Sequence, residues 1–289
     1  MLSLHTNAAS LSTLVALGKT QTDVTTSQSR LGSGYRVNSA MDDAAGLQIA
    51  TRLDAQTRGQ AVAMRNTQNG ISMMQTAEGA FGEVSNILLR MKDLATQAAD
   101  GTSSQKDQDA MQLEFDALGS EMNNIMKNTS FGGSALLKAG TLANAAGVTY
   151  QIGSSSAEKM TVNLSADMTT LDTNLGSVSA KYTAPGGALG TEIDTQAAAN
   201  TTIDTINTAL DQVGKLRAQL GAASNRLDHV FNNLSNMSTN TTQARGRIMD
   251  VDYASETANM TSKQMLLQAG TAMLKQSGSM SQLTLSLLQ

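Results

Sequence analysis

The chain has 289 residues, a formal net charge of -4, 3% aromatics, no Trp, no Cys and a single proline, Pro185. Without cysteine there is neither a disulfide nor a thiol-bound zinc. No Lys/Arg cluster interleaved with aromatics suits a phosphate backbone, so no nucleic-acid partner is expected. A chain this poor in rings must build an aliphatic core, and one this poor in proline, which costs roughly 3 kcal/mol inside a helix, can carry very long helices.

Leu4 to about Arg30 reads as a weak helix, with Leu4, Ala8, Leu11, Val15 and Gly18 on one face among many Thr and Ser. A break follows at Gly32–Gly34. A long helix then begins near Asp42 or Asp43, whose carboxylates suit a helix N-terminus, and runs to about Ala99, an expected length of about 85 Å. Along it Met74, Phe81, Leu88 and Ala95 recur every seven residues, with Ala77, Val84, Met91 and Ala98 three positions on: a heptad seam. Ser104 with Asp107 resembles a capping box, opening a helix that carries Met111, Phe115, Leu118, Met122 and Ile125 and ends by Asn128.

From Ser130 to about Gln196 the chain turns rich in Gly, Ser, Thr and Ala. Tyr150–Gly153 and Met160–Leu164 alternate across a Gly/Ser turn and predict a β-hairpin; the remainder reads as surface loop. Helix resumes near Asp194 to Thr201 and continues to about Met237, with a second seam of Ile206, Val213, Leu220, Leu227 and Leu234 beside Leu216, Ala223, Val230 and Met237. After a polar break, a last helix is expected from about Ala254. Leu266, Met273, Met280 and Leu287 form one of its rows, and Met260, Leu267, Leu274 and Leu288 another. Gly270 and Gly278 weaken it by about 1 kcal/mol each relative to Ala. Both terminal helices are therefore expected to order only when neighbouring copies cover them. The expected class is mainly α: a long, antiparallel, coiled-coil-like helix bundle with a small β-hairpin region and paired terminal helices.

Candidate chemistry is sparse, so neither an enzyme nor a cofactor is expected. Asp42 and Asp43, and Asp250, Asp252 and Glu256, read as helix-start carboxylates and partners for Arg245 and Arg247 rather than metal ligands. His5 and His229, the two histidines, lie far apart and cannot form the two-histidine zinc motif of a metalloprotease. No apolar run approaches the ~20 residues of a membrane span, so no membrane insertion is expected. Met1 to Ser10 lacks a basic stretch followed by an apolar one, so export by the general secretory route is not expected either.

The stretch Arg30-Leu-Gly-Ser-Gly-Tyr-Arg-Val-Asn-Ser-Ala-Met-Asp-Asp-Ala-Ala-Gly46 resembles bacterial flagellin, whose pattern is close to R-L-S-S-G-x-R-I-N-S-A-x-D-D-A-A-G. The likeness continues through Gln68–Ala80 and Leu89–Ala95, returns at Ala244–Glu256, similar to A-R-S-R-I-x-D-x-D-Y-A-x-E, and closes at Leu285–Leu288. It implies a filament subunit, secreted through the flagellar type III channel and polymerised with itself at the distal tip of an extracellular bacterial flagellum. The implied partners are an export chaperone, the filament cap and the hook–filament junction proteins. The implied organisation is an inner-tube helix and linker over 1–41, a rod portion over 42–130, hairpin and surface loops over 131–193, a rod helix over 194–238, and a linker with a second inner-tube helix over 239–289.

Candidate assembly contacts are Leu4, Leu11, Leu266, Leu267, Met273, Leu274, Met280, Leu287 and Leu288. The resemblance also points to recognition of the monomer by the flagellin-sensing Toll-like receptor of animals at Arg90, Leu94 and Glu114; a surface charge pair around a packed leucine is the equal alternative. Where many relatives carry a proline in the last helix this chain has Ser281, which predicts a smoother helix there. A signalling coiled coil of the chemoreceptor type would share the Ala-, Gln-, Ser- and Met-rich composition, but the Gly/Ser-rich hairpin sits where such a hairpin of helices needs an unbroken turnaround.

Overall fold

The computed structural model describes residues 7–286, with side chains described through Ser279. It divides into two compact units, one made of 1–57 with 239–289 and the other of 58–238. The elements in order are α1 (Ala8–Ser33), α2 (Ala44–Ala98), α3 (Gln105–Asn128), β1 (Ser130–Phe131), β2 (Ser134–Ala135), β3 (Val148–Gln151), β4 (Lys159–Val162), α4 (Ser165–Val178), α5 (Ala180–Thr183), α6 (Gln196–Met249) and α7 (Tyr253–Ser286).

In the 58–238 unit, α2 and α6 run antiparallel: Leu227 lies beside Gly70, and further along Arg217 reaches Glu78 at 2.7 Å. The heptad seam of α2 is buried at every position from Met74 to Ala98. Its counterpart on α6 is buried at Ile206, Val213, Leu216, Leu220, Ala223, Leu227 and Leu234, then fades at half-buried Val230 and exposed Met237. The packing follows from heptad spacing, which keeps one stripe facing its partner over many turns. α3 lies on this pair through Phe115, Met122 and Met126. Its start has the expected capping box, with the Ser104 Oγ accepting from the Asp107 backbone and the Asp107 carboxylate accepting from the Ser104 backbone.

The predicted hairpin is present, with β3 and β4 antiparallel and Tyr150 opposite Met160. Tyr150 lies over Gly70, where a Cβ would come within 2.8 Å of the ring, and burial pushes its phenol up to about 12. The expectation of surface loop for the rest of 131–193 is overturned. A second short hairpin pairs β1 with β2, and α4 and α5 are helices. Leu136, Leu137, Leu142, Met168, Leu171, Leu175, Val178, Tyr182 and Ile193 all lie in the core. The threonines that obscure α4 turn back on its own backbone, Thr169 donating to Ser165 O, Thr170 to Ala166 O and Thr173 to Thr169 O. A hydroxyl satisfied in that way need not break the helix.

The other unit holds α1, the start of α2, the end of α6 and α7. Asn7 caps α1 by accepting from the Ser10 N–H, and Gly34, in the left-handed region at φ 76°, ends it. Asp43 accepts from the Gly46 N–H at 2.8 Å at the start of α2. The segments after α1 and before α7 are stitched together: Arg36 N donates to Met249 O at 2.6 Å and Val251 N to Gly34 O at 3.0 Å. Val37, Ala50 and Met249 form a small core beneath them. The polar break expected after Met237 is much shorter than the composition suggests. α6 stays helical through Met249, because Thr239–Arg245 contains neither glycine nor proline, and only Asp250–Asp252 interrupts the chain before α7. α7 then runs unbroken past Ser281 to Ser286.

Candidate assembly interface

In the unit formed by the chain ends, α1 and α7 pair antiparallel. Asn7 Nδ2 donates to the Ser277 backbone and hydroxyl, Leu17 fits over Gly270, Lys263 Nζ reaches Asp23 at 2.7 Å, and Arg30 Nη1 lies 3.9 Å from Glu256. A Cβ at Gly270 would stand 2.9 Å from Leu17 Cδ1, so the glycine that weakens α7 also admits the leucine of α1. The Lys263 ammonium donates to Asp23 and holds its carboxyl below the ordinary value of 3.8.

The covered stripe of α1 is Thr13, Leu17, Thr20, Val24, Ser27 and Leu31; that of α7 is Glu256, Met260, Lys263, Leu267, Gly270, Leu274 and Ser277. Both alternate steps of three and four, the signature of a coiled-coil seam. About half of the positions are polar or glycine. The apolar residues that the seam leaves out stand in solvent: Leu11 at 60%, Leu14 at 59% and Val15 at 71% exposed on α1, and Met265 at 60%, Leu266 at 55% and Met273 at 66% on α7. Because Leu17 sits opposite Gly270, Met273 falls level with Leu14.

Of the sequence candidates, Leu11, Leu266 and Met273 therefore lie on this open surface, while Leu267 and Leu274 are half-buried on the seam. Met280 lies in α7 with its side chain outside the described residues; Leu4, Leu287 and Leu288 lie wholly outside them. Leu14, Val15 and Met265 belong to the same surface but were not among the candidates. A helical wheel drawn with the seam at Leu17 and Gly270 would have found them, since they lie off the stripe that the seam consumes.

Arg90 and Glu114 form an ion pair, Nη2 to Oε1 2.7 Å and Nε to Oε1 2.8 Å, with both side chains about half exposed. Leu94 is 3% exposed and packed in the main core, where it supports α2 from within. Asp42 closes the turn before α2, accepting from the Asn38 and Ser39 backbones, which lower its pKa. Asp252 accepts from the Ala254 N–H at the start of α7. Arg245 pairs with Asp54 at 3.4 Å rather than with the acidic residues beside it in sequence. Among the described residues no cluster of His, Asp or Glu is arranged to hold a metal, and no helix is long and apolar enough to cross a membrane.

Paired chain-end helices with a half-polar seam and open apolar rows, together with a helical unit that has its own core, are the architecture of a structural protein. The chain belongs to the bacterial flagellin family. Residues 4–141 match the bacterial flagellin N-terminal helical region and residues 203–288 the C-terminal helical region. Flagellin B of Vibrio anguillarum is 34% identical, with 99% of each chain covered, and flagellin A of the same organism is 34% identical over the whole of both. The crystal structure of Bacillus cereus flagellin, 32% identical, covers 63% of this chain and 94% of its own with a TM-score of 0.47. The family is one of structural proteins whose members self-polymerise as subunits of the extracellular flagellar filament.

Proposed function

We propose that this chain adds to the tip of a growing filament by burying the open rows of α1 and α7 against further copies of itself, after export through the flagellar type III channel. The observation that carries the reading is the exposure of Leu11, Leu14 and Val15 together with Met265, Leu266 and Met273. Burying one such side chain contributes about 1.5–3 kcal/mol. The seam alone supplies Leu17, Val24 and Leu31 from α1 and Met260, Leu267 and Leu274 from α7, a small set of apolar contacts for helices of 26 and 34 residues. Copies that cover the outer rows add to that set, which makes assembly cooperative and gives it a threshold concentration.

The chaperone, cap and junction proteins are proposed partners of the same rows, each covering them when no neighbouring subunit does. The Arg90–Glu114 pair is the proposed surface for Toll-like receptor recognition of the free monomer, with Leu94 holding α2 in place beneath it. Seeded growth followed by electron microscopy tests the central claim. Leu266→Asp with Met273→Asp should leave the 58–238 core folded and abolish tube formation; tubes growing at the wild-type rate would refute it.

A further inference from the structure

The 17 methionines occupy a range of environments. Met74, Met91, Met122 and Met126 are fully buried in the core of the 58–238 unit. Among the described residues of the chain-end unit, three stand in solvent: Met41 at 96%, Met273 at 66% and Met265 at 60% exposed. Met41 is displayed by a built turn. The Asp42 carboxylate accepts from Asn38 N at 3.1 Å, Ser39 N at 2.9 Å and Ser39 Oγ at 3.2 Å, and Met41 N donates to Ser39 Oγ at 3.3 Å. The flagellin pattern leaves this position open, so the thioether at the apex belongs to this chain's own sequence.

We propose that Met41, Met265 and Met273 are sulfoxidation sites, and that oxidation of Met265 and Met273 by a peroxide before assembly blocks addition of the subunit. The inference rests on the filament reading above. The sulfur donates an electron pair to one peroxide oxygen; an S–O bond forms, the O–O bond breaks, and the second oxygen leaves as water with both protons. Each methionine loses two electrons and the peroxide gains them. An apolar, flexible side chain becomes a polar one, and methionine sulfoxide reductases can reverse the change. At Met265 and Met273 the new S=O would have to enter the contact that buries the outer row of α7. The buried methionines keep the core folded while the surface is switched off, and assembly in turn shields the sulfurs of Met265 and Met273.

The test uses the full chain, partly oxidised with hydrogen peroxide, mixed with untreated seeds, and separated into polymer and unincorporated protein. Peptide mass spectrometry reads the sulfoxide at each methionine in both fractions. Sulfoxide at Met265 and Met273 should be roughly tenfold scarcer in the polymer, the fold-change that 1.4 kcal/mol lost from addition would give. Met74, Met91, Met122 and Met126 should stay unoxidised. Reductase treatment should restore incorporation. The Met265→Leu/Met273→Leu chain should extend seeds equally before and after peroxide. Equal sulfoxide in both fractions, or a double variant that peroxide stalls as it stalls the wild type, would overturn the proposal. Untreated wild type that fails to extend seeds counts against the filament reading itself.

Discussion

Gln60 occupies a seam position of α2, is fully buried, and has neither its amide nitrogen nor its amide oxygen bonded to any described residue. A buried polar group without a partner costs about 1–3 kcal/mol. Gln60→Met, which keeps the length and removes both polar atoms, should therefore raise the midpoint of thermal unfolding by several degrees, read by circular dichroism. An unchanged or lowered midpoint would show that the amide finds partners in solution. The opposite sign holds at Gly119, where α3 passes under the start of α5. A Cβ there would lie 2.3 Å from Ser179 Oγ, 3.0 Å from Ser179 Cβ and 3.2 Å from Lys181 Cβ. Gly119→Ala should cost about 1–3 kcal/mol, the usual range for overpacking, seen as a lower denaturant midpoint. Ser179 cannot simply turn away, because its Oγ accepts from the Lys181 N–H at 3.2 Å. Nor is the surrounding polar network loose. Gln112 donates to Asp116 at 2.8 Å and to Glu192 at 2.9 Å, Gly190 N donates to Asp116 at 2.9 Å, and the buried Lys181 ammonium lies 3.8 Å from Asp116. No periodicity could have announced these contacts, since they join residues of α3 to a segment some seventy positions further on.

Among the elements, the pair α1 and α7 is one whose strength depends on pH within reach of an ordinary titration. The Lys263 hydrogen bond holds the folded pKa of Asp23 below 3.8. A depressed carboxylate contributes its stability above the unfolded value and loses it as pH falls through the folded one. Acidification past 3.8 should therefore loosen the chain-end helices. Protease sensitivity within 8–33 should rise on acidification in the wild type. It should rise less in Asp23→Asn, which starts without that charge; identical profiles would assign the acid response to other groups. The long helices were legible because heptad spacing survives any surface composition, and the start of α3 because Ser104 and Asp107 stand three apart. α4 was not, although Met168, Leu171, Leu175 and Val178 keep a helical step. Its threonine content lowers intrinsic propensity, and only burial against the core overrides that. In α1 the face read from the sequence, through Leu11 and Val15, is the one left in solvent. A stripe can mark apolar residues without saying which partner takes them.

At the scale of the molecule, the large core and the open apolar rows belong to different compact units. The 58–238 unit contains the buried seams of α2 and α6, Phe81, Phe115 and Tyr182, whereas the chain ends contribute Val24 and the three-residue core around Val37. Folding and assembly are thus carried by different residues and should be separable. A chain trimmed to residues 58–238 should keep a cooperative thermal transition, because every residue of its main cluster from Ile71 to Leu227 is retained. It should nonetheless fail to extend seeds at any concentration at which the full chain does. Trimming only one end should also abolish growth, since α1 without α7 exposes Leu17 and Val24 as well as its outer row and has no antiparallel partner to set its register. If 58–238 grows tubes, the rows on α1 and α7 are not what holds neighbouring copies together. If it instead unfolds without cooperativity, the 58–238 unit does not fold by itself, and assembly and folding are one equilibrium rather than two.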